Sequence, residues 1–263
     1  MSTIVFLGGG RITSAMLAGL HLNKAKLRFV VHDRNPSKLR YLSKHYAVSV
    51  ATDMKSAVEQ ADVLIVAVRP SSVAELLHSV EKPNRPLLAV SLAAGVPLRI
   101  LTKALGSPVR WARAMPSPVC RSGRGLTGVT FPRTLPPRDR SRVIDLFASF
   151  GQVIEIPESK FDAFTVIYSC SHGYHALTAL AKAGRAAGLD RRVALAASAH
   201  ALADGILTWR EGSNSLESLL EEAATPGGIA ATTMAAMDAA GYRKTVGKGV
   251  RAGLCRARAN RRQ

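Results

Sequence analysis

The sequence predicts an α/β amino-terminal half, built on a mostly parallel, doubly wound sheet, followed by an all-α carboxyl-terminal half. Three observations carry this. A short apolar, β-prone run, Ile4–Leu7, leads directly into Gly8-Gly9-Gly10 and then into a helical pattern. Strand and helix signals alternate from there to about residue 158. Past Ser159 the strand signals vanish, and long alanine-rich stretches of helical spacing replace them. The two domains are accordingly placed at residues 1–158 and 159–263.

Each element follows from its local pattern. Gly8 and Gly10 fill the first two places of a G-x-G-x-x-G/A fingerprint, whereas Thr13 stands where a small residue normally lets helix and strand approach. Such a turn lets backbone reach a pyrophosphate, and the next helix offers unpaired N–H groups and a positive dipole end. Gly8, Gly10, Arg11 and Ile12 are therefore the candidate pyrophosphate contacts of a Rossmann domain. The helix runs Arg11–Leu22, with Ile12, Ala15, Met16 and Gly19 on one face. Phe29–Val31 is a second strand ending at His32-Asp33-Arg34-Asn35-Pro36, a helix follows through Lys38–His45, and another starts at the Thr52/Asp53 cap. Asp62–Val68 reads as a strand buried on both faces. Arg69-Pro70 stops it, and Ser71 is placed to cap the next helix. Leu87–Ser91, Val109–Ala112 and Val153–Ile156 supply the remaining strands, with Arg133–Arg142 as a basic, proline-containing connection.

In the second half, Phe161–Gly188 and Arg191–Trp209 are long apolar stretches with helical spacing. Asn214-Ser215-Leu216-Glu217 caps a short acidic helix. Pro226-Gly227-Gly228 breaks the chain before a further helix that runs through Ala239 to Gly241. Helices this apolar need more cover than one thin layer gives. Burial against a second subunit answers that need, so a homo-oligomer, at least a dimer through the carboxyl-terminal helices, is expected.

Composition narrows the classes. Apolar residues make up 47% of the 263 and aromatics 5%, so the cores must be built mainly from Ala, Val, Leu and Ile. No apolar run is long enough to span a bilayer, and no charged segment precedes an apolar stretch at the start, so a cytoplasmic protein without membrane contact is expected. Cys120, Cys170 and Cys255 are too few and too scattered for a disulfide framework or a zinc site, and no metal is expected. The formal net charge is +18, and part of the excess lies in Arg243, Lys244, Lys248, Arg251, Arg256, Arg258, Arg261 and Arg262, with no acid among them. No nucleic-acid recognition motif accompanies this charge, so a solvated helix face with a frayed terminus is the expected reading. Attraction of anionic cofactors and substrates is a further use for the field.

The ordered motifs resemble those of the pyrroline-5-carboxylate reductases over nearly the whole chain. Phe6-Leu7-Gly8-Gly9-Gly10 through Gly19-Leu20 is similar to that family's nucleotide turn and first helix. Ala67-Val68-Arg69-Pro70 resembles A-V-K-P, Val90–Val96 resembles V-S-I-A-A-G-V, and Arg113-Ala114-Met115-Pro116 matches R-A-M-P. In the helical half, Asp162-Ala163-Phe164-Thr165 is similar to the segment leading into S-G-S-G-P-A-Y. Thr225-Pro226-Gly227-Gly228 and Ala239–Arg243 resemble S/T-P-G-G and E-x-G-F/Y-R. The resemblance implies hydride transfer from a reduced nicotinamide to the C=N carbon of a cyclic imine, giving proline. It also implies an NAD(P) cofactor along Ala67, Val68, Arg69 and Pro70, with Ala93 and Gly95 near the nicotinamide.

At the adenosine end the residues leave two choices. Asp33 suits a free 2′-hydroxyl, hence NAD; Arg34, with Asn35 beside it, suits a 2′-phosphate, hence NADP, which the positive background favours. Asp33-Arg34-Asn35-Pro36 also reads as a helix-capping turn. On the substrate side the resemblance implies Ser171, His172, Tyr174, Gly227 and Gly228 as contacts. Here the chain departs from the family: the S-G-S-G-P-A-Y segment reads Tyr168–Tyr174, Ile229 and Ala230 replace a Thr pair, and Met115–Val119 replaces M-P-N-T-P. Lost hydroxyls leave a substrate carboxylate under-bound unless something replaces them. His172 is the candidate catalytic residue, as cationic anchor or proton donor, against a packing role shared with His175. Reduction of a different imine on the same scaffold, and a non-catalytic nucleotide-binding regulatory protein, are the alternatives.

Overall fold

The computed structural model describes residues 2–24 and 26–261. Of the basic carboxyl-terminal residues, Arg262 lies outside that range. The chain divides into two compact units, Met1–Tyr168 with Ala252–Gln263, and Ser169–Arg251.

The first unit is a Rossmann-type layer structure. Its strands are β1 Thr3–Leu7, β2 Arg28–His32, β3 Ser49–Val50, β4 Val63–Val66, β5 Leu87–Ser91, β6 Val109–Pro116, β7 Gly125–Thr130 and β8 Gly151–Glu155. They form one sheet in the order β3-β2-β1-β4-β5-β6-β7-β8. The first six positions are parallel, the doubly wound arrangement expected of a dinucleotide fold. Side chains alternate between the two faces, as the two-residue period of a strand requires. Ile4 and Phe6 of β1 join Val31, Ile65 and Val90 under α1 (Arg11–Leu22), α2 (Pro36–His45) and α6 (Pro137–Ala148). Val5 and Leu7 point the other way, with Val30, Leu64, Val66 and Ala89, under α3 (Met54–Glu59), α4 (Val73–Ser79) and α5 (Leu98–Ala104).

Several local expectations are corrected. The strand β7 has no counterpart in the sequence reading, because Gly-Leu-Thr-Gly-Val-Thr looks like a loop. It pairs antiparallel with β6 and parallel with β8. Its glycines serve close approach: a Cβ at Gly128 would strike the Phe164 ring, and one at Gly125 would press on Cys120. Ser71 does not cap the fourth helix; Pro70–Ser72 form a 3-10 turn and α4 starts at Val73. Arg133–Arg142 is not all connection, since α6 opens at Pro137, where a missing N–H costs nothing. The stretch Phe161–Gly188 splits into α7, Glu158–Ile167, and α8, Cys170–Ala186, and α7 belongs to the first unit.

The second unit holds α8, α9 (Arg191–Glu211), α10 (Leu216–Ala223), α11 (Ile229–Ala239) and most of α12 (Tyr242–Asn260). Ser215 caps α10 through the Ser218 N–H, as its sequence implied. Gly188, at φ +96°, ends α8, which packs on α9 with Gly184 against Ala194. Among the described residues, α8, α10 and α11 contain no buried side chain, while Ile206, Trp209, Leu220, Met237 and Val246 stand exposed in the single chain. The charged end of α12 is not a frayed terminus: Arg261 pairs with Asp162 at 2.6 Å.

Candidate functional site

Parallel pairing of β1, β4, β5 and β6 sends their following loops out at one edge of the sheet. Leu7, Val66, Ser91 and Arg113 lie in one row across it. The Ala67 N–H donates to the Leu7 carbonyl and the Leu92 N–H to the Val66 carbonyl, both at 2.9 Å, so the register holds to the last residue. Open α/β sheets bind ligands at this carboxyl edge.

A cleft of about 750 Å³ opens there. Its lining brings together Gly8, Gly10, Arg11, Ile12, Asp33, Arg34, Asn35, Ala67, Val68 and Arg69, ten of the thirteen residues expected on the cofactor side. The sequence reading missed Met54, Ser72, Leu76, Ser79, Lys38 and Glu75, which also line it. Met54, Leu76 and Ser79 come from helices whose outward faces carry no motif, and Ser72 closes the 3-10 turn that Pro70 opens. Lys38 was legible as the cation one turn beyond Asp33. Of the three others, Pro70 opens the 3-10 turn after the Ala67–Arg69 wall, and Ala93 and Gly95 lie in the loop that follows β5.

The glycine turn is built for close approach. Gly8 adopts φ +110°, and a Cβ there would meet the Ala67 carbonyl oxygen at 2.6 Å. At Gly10 a Cβ position has nothing within 4 Å and faces open space, room that a pyrophosphate needs. Gly10 is also the residue before α1, whose first-turn N–H groups have no acceptor within the helix. Thr13, the departure from the fingerprint, is fully buried and its hydroxyl donates to the Gly8 carbonyl at 2.6 Å. The hydroxyl thereby ties the helix to the turn that a smaller residue would merely have allowed to approach. The close helix packing falls instead to Gly19, where a Cβ would strike the Cys120 carbonyl.

Asp33 braces the turn from the other side. Its carboxylate accepts the Gly9 N–H at 2.7 Å, the Asn35 N–H at 2.8 Å and the Lys38 ammonium at 3.0 Å. Burial works against its ionisation, but the Asn35 and Gly9 amides and the Lys38 charge outweigh it and hold the carboxyl below its ordinary value. Asn35 caps α2, its side chain accepting the Ser37 N–H at 2.9 Å. Arg34 reaches across the cleft lining to Glu75 at 2.7 Å, both side chains largely exposed. The residues present fit a dinucleotide: a glycine turn with open space at Gly10 for a pyrophosphate, and the cations Arg34 and Lys38 on the same cleft lining.

Behind the same edge lies a charge cluster. Arg113, 1% exposed, reaches Asp162 at 3.4 Å and Glu158 at 3.5 Å, with Phe161 stacked 4.5 Å from its guanidinium carbon. Burial pulls the Arg113 guanidinium below its ordinary value, against the two carboxylates that favour its charge. Cys120 is buried, which pushes its thiol up to about 12 and keeps it unreactive near neutral pH.

The residues expected on the substrate side all belong to the second unit. Ser171, His172 and Tyr174 sit in the first turn of α8 and are exposed. Gly227 adopts φ +75° and Gly228 precedes α11. The Thr232 hydroxyl donates to the Gly228 carbonyl and the Thr233 hydroxyl to the Ile229 carbonyl, both at 2.9 Å. A Thr pair therefore does follow the glycine turn, about one helical turn later than the family pattern places it.

Residues 3–95 match the family model described as NADP oxidoreductase coenzyme F420-dependent. Residues 158–260 match the one described as pyrroline-5-carboxylate reductase dimerisation. A pyrroline-5-carboxylate reductase of Mycobacterium tuberculosis is 31% identical, the alignment covering 98% of this chain and 96% of that protein. The chain belongs to the pyrroline-5-carboxylate reductase family. Solved structures of family members share its fold from end to end. The Streptococcus pyogenes enzyme matches with a TM-score of 0.89 at 23% identity, covering 98% of both chains. The Plasmodium falciparum enzyme, solved with NADP bound, matches with a TM-score of 0.87 at 21% identity, covering 99% of this chain and 98% of that one. Among the described residues no helix is long and apolar enough to cross a membrane.

Proposed function

We propose that this member of the pyrroline-5-carboxylate reductase family reduces 1-pyrroline-5-carboxylate to proline with a reduced nicotinamide coenzyme. The supporting observation is the full-length similarity to curated reductases, coupled to a glycine-cradled cleft at the sheet's carboxyl edge. Gly8, Gly10, Arg11 and Ile12 hold the pyrophosphate, and Ala67, Val68, Arg69 and Pro70 follow the coenzyme toward the Ala93–Gly95 loop. The bound nicotinamide supplies the hydride that the C=N carbon accepts. The protein's share is to fix that carbon in line with the donor and to see the ring nitrogen protonated.

NADP is the preferred coenzyme in this reading. Asp33 spends its oxygens on Gly9, Asn35 and Lys38, which leaves Arg34, paired only with the exposed Glu75, as the cation for a 2′-phosphate. On the substrate side Ser171, Tyr174, Gly227 and Gly228 form the binding surface, with His172 as the proton donor or carboxylate anchor. The exposed apolar faces of α8 to α12 support a homodimer through the helical domain. We take the functional boundary at 158/159, a reading supported by the helical family match that begins at residue 158. The protein acts in the cytoplasm.

The test is oxidation of NADPH and of NADH with 1-pyrroline-5-carboxylate, followed optically with proline as the product measured. Turnover faster with NADPH is expected. Tight coenzyme binding without turnover would refute the substrate. A different cyclic imine is the second reading, favoured by the bulkier Tyr168–Tyr174 segment, and a panel of imines separates the two.

A further inference from the structure

The basic end of the chain, which the reductase reading leaves unused, is tied into the sheet unit by side-chain contacts. Asn260 donates from its side-chain nitrogen to the Ala94 carbonyl at 3.1 Å, across 166 residues of sequence. Its neighbour Arg261 anchors to the Asp162 carboxylate at 2.6 Å. Asp162 in turn meets the buried Arg113, which also reaches Glu158. Glu158 closes the ring by accepting the Leu98 N–H at 2.6 Å. The loop between β5 and α5 is thus gripped at its middle, the Ala94 carbonyl, and where it enters α5, the Leu98 amide, by side chains from the end of α12 and from α7.

Gly95 belongs to the same arrangement. It adopts φ +77°, and a Cβ there would collide with the Ala257 carbonyl and come within 2.9 Å of the Asn260 Cβ. The glycine of Ala93-Ala94-Gly95-Val96 therefore accommodates the backbone of the last helix, a demand independent of any coenzyme contact.

We propose that the final turn of α12 is a positioning element for hydride transfer, with Asn260 setting the Ala93–Gly95 loop and Arg261 locking Asn260 in place through Asp162. The inference rests on the reductase reading for its catalytic consequence. Neither residue is a catalytic residue; both act through the loop that the reductase reading sets beside the nicotinamide. Misplacing a reactant by about 1 Å costs on the order of a hundredfold in rate. Releasing one of the loop's two grips should cost less, about tenfold in kcat.

The experiment compares the full-length protein with Asn260→Ala, Arg261→Ala and Arg261→Lys. Amide hydrogen exchange across residues 92–98 should quicken about tenfold in both alanine variants, while β1 and β4 keep their protection. With 1-pyrroline-5-carboxylate, kcat should fall about tenfold with the NADPH dissociation constant changed less than about twofold. The kinetic isotope effect from 4-deuterated NADPH should rise as the chemical step becomes slower. Arg261→Lys, which keeps a cation for Asp162, should recover most of the loss. Unchanged exchange at 92–98, or faster exchange spread evenly over the sheet, would overturn the proposal. So would a kcat within about twofold of the unmutated enzyme. The exchange measurement needs no substrate, so an unmutated protein inactive towards pyrroline-5-carboxylate would refute the reductase reading and leave exchange to decide this one.

Discussion

Arg34 and Glu75 lie 2.7 Å apart on the lining of the coenzyme cleft, so a 2′-phosphate must draw Arg34 away from a partner it already has. Replacing Arg34 by Ala removes a charge-assisted contact of the kind worth about 1.5–3 kcal/mol. With 77% of the Arg34 side chain in solvent, screening pushes the value to the low end of that range. About 1.4 kcal/mol corresponds to a tenfold loss, the expected drop in NADPH affinity. NADH lacks the phosphate and should change less than about twofold. Glu75→Gln works in the opposite direction, because two like charges about 4 Å apart repel by about 1 kcal/mol in water. NADPH should then bind about fivefold more tightly, and the gain should shrink at high salt. Fluorescence titrations of both coenzymes at two ionic strengths measure all of this. An equal loss of NADH and NADPH affinity in Arg34→Ala would show that Arg34 does not serve the phosphate. Weaker NADPH binding in Glu75→Gln would show that the pair organises the site and does not compete for it.

Thr13→Val keeps shape but deletes the buried donor to the Gly8 carbonyl. It should lower stability by about 1 kcal/mol and Tm by about 2–4 °C, and an unchanged Tm in calorimetry would remove the hydroxyl from the account of the turn. Asp33 has its carboxyl held below the ordinary value of 3.8, so it stabilises the fold above that pH and the contribution disappears as acid protonates it. The stability gap between the unmutated protein and Asp33→Asn, read from urea unfolding, should be full at neutral pH and close below about pH 4; a gap constant down to pH 3 would contradict this. His172→Ala should lower kcat at least about tenfold while leaving NADPH affinity nearly unchanged, and an unaltered kcat in steady-state assays would return His172 to a packing role.

The sheet was legible because its signals are local. Ile4–Leu7, Asp62–Val68 and Leu87–Ser91 are apolar runs of strand length, and the glycines after β1 announce the cleft. What escaped depends on contacts distant in sequence. The strand β7 is disguised by Gly125 and Gly128, which are small because Cys120 and Phe164 come close, and only the folded chain shows that. Glu75 and Leu76 sit on a helix with no motif, facing a cleft that another part of the chain begins. The Arg113 cluster joins residues from 113 to 261, and no spacing rule links them. The charged end of α12 read as solvated for the same reason: its partners, Ala94 and Asp162, are 166 and 99 residues away.

The helices α8, α10 and α11, with no buried side chain in one chain among the described residues, have a consequence for how the protein behaves in dilute solution. Apolar surface that a second copy covers in the proposed homodimer contributes to folding only after association, so that part of the stability follows mass action. The melting temperature should climb with the logarithm of protein concentration. Activity should decay on dilution over the time the copies take to part. A substitution that spares every coenzyme contact can then inactivate simply by shifting the concentration at which the chain is whole.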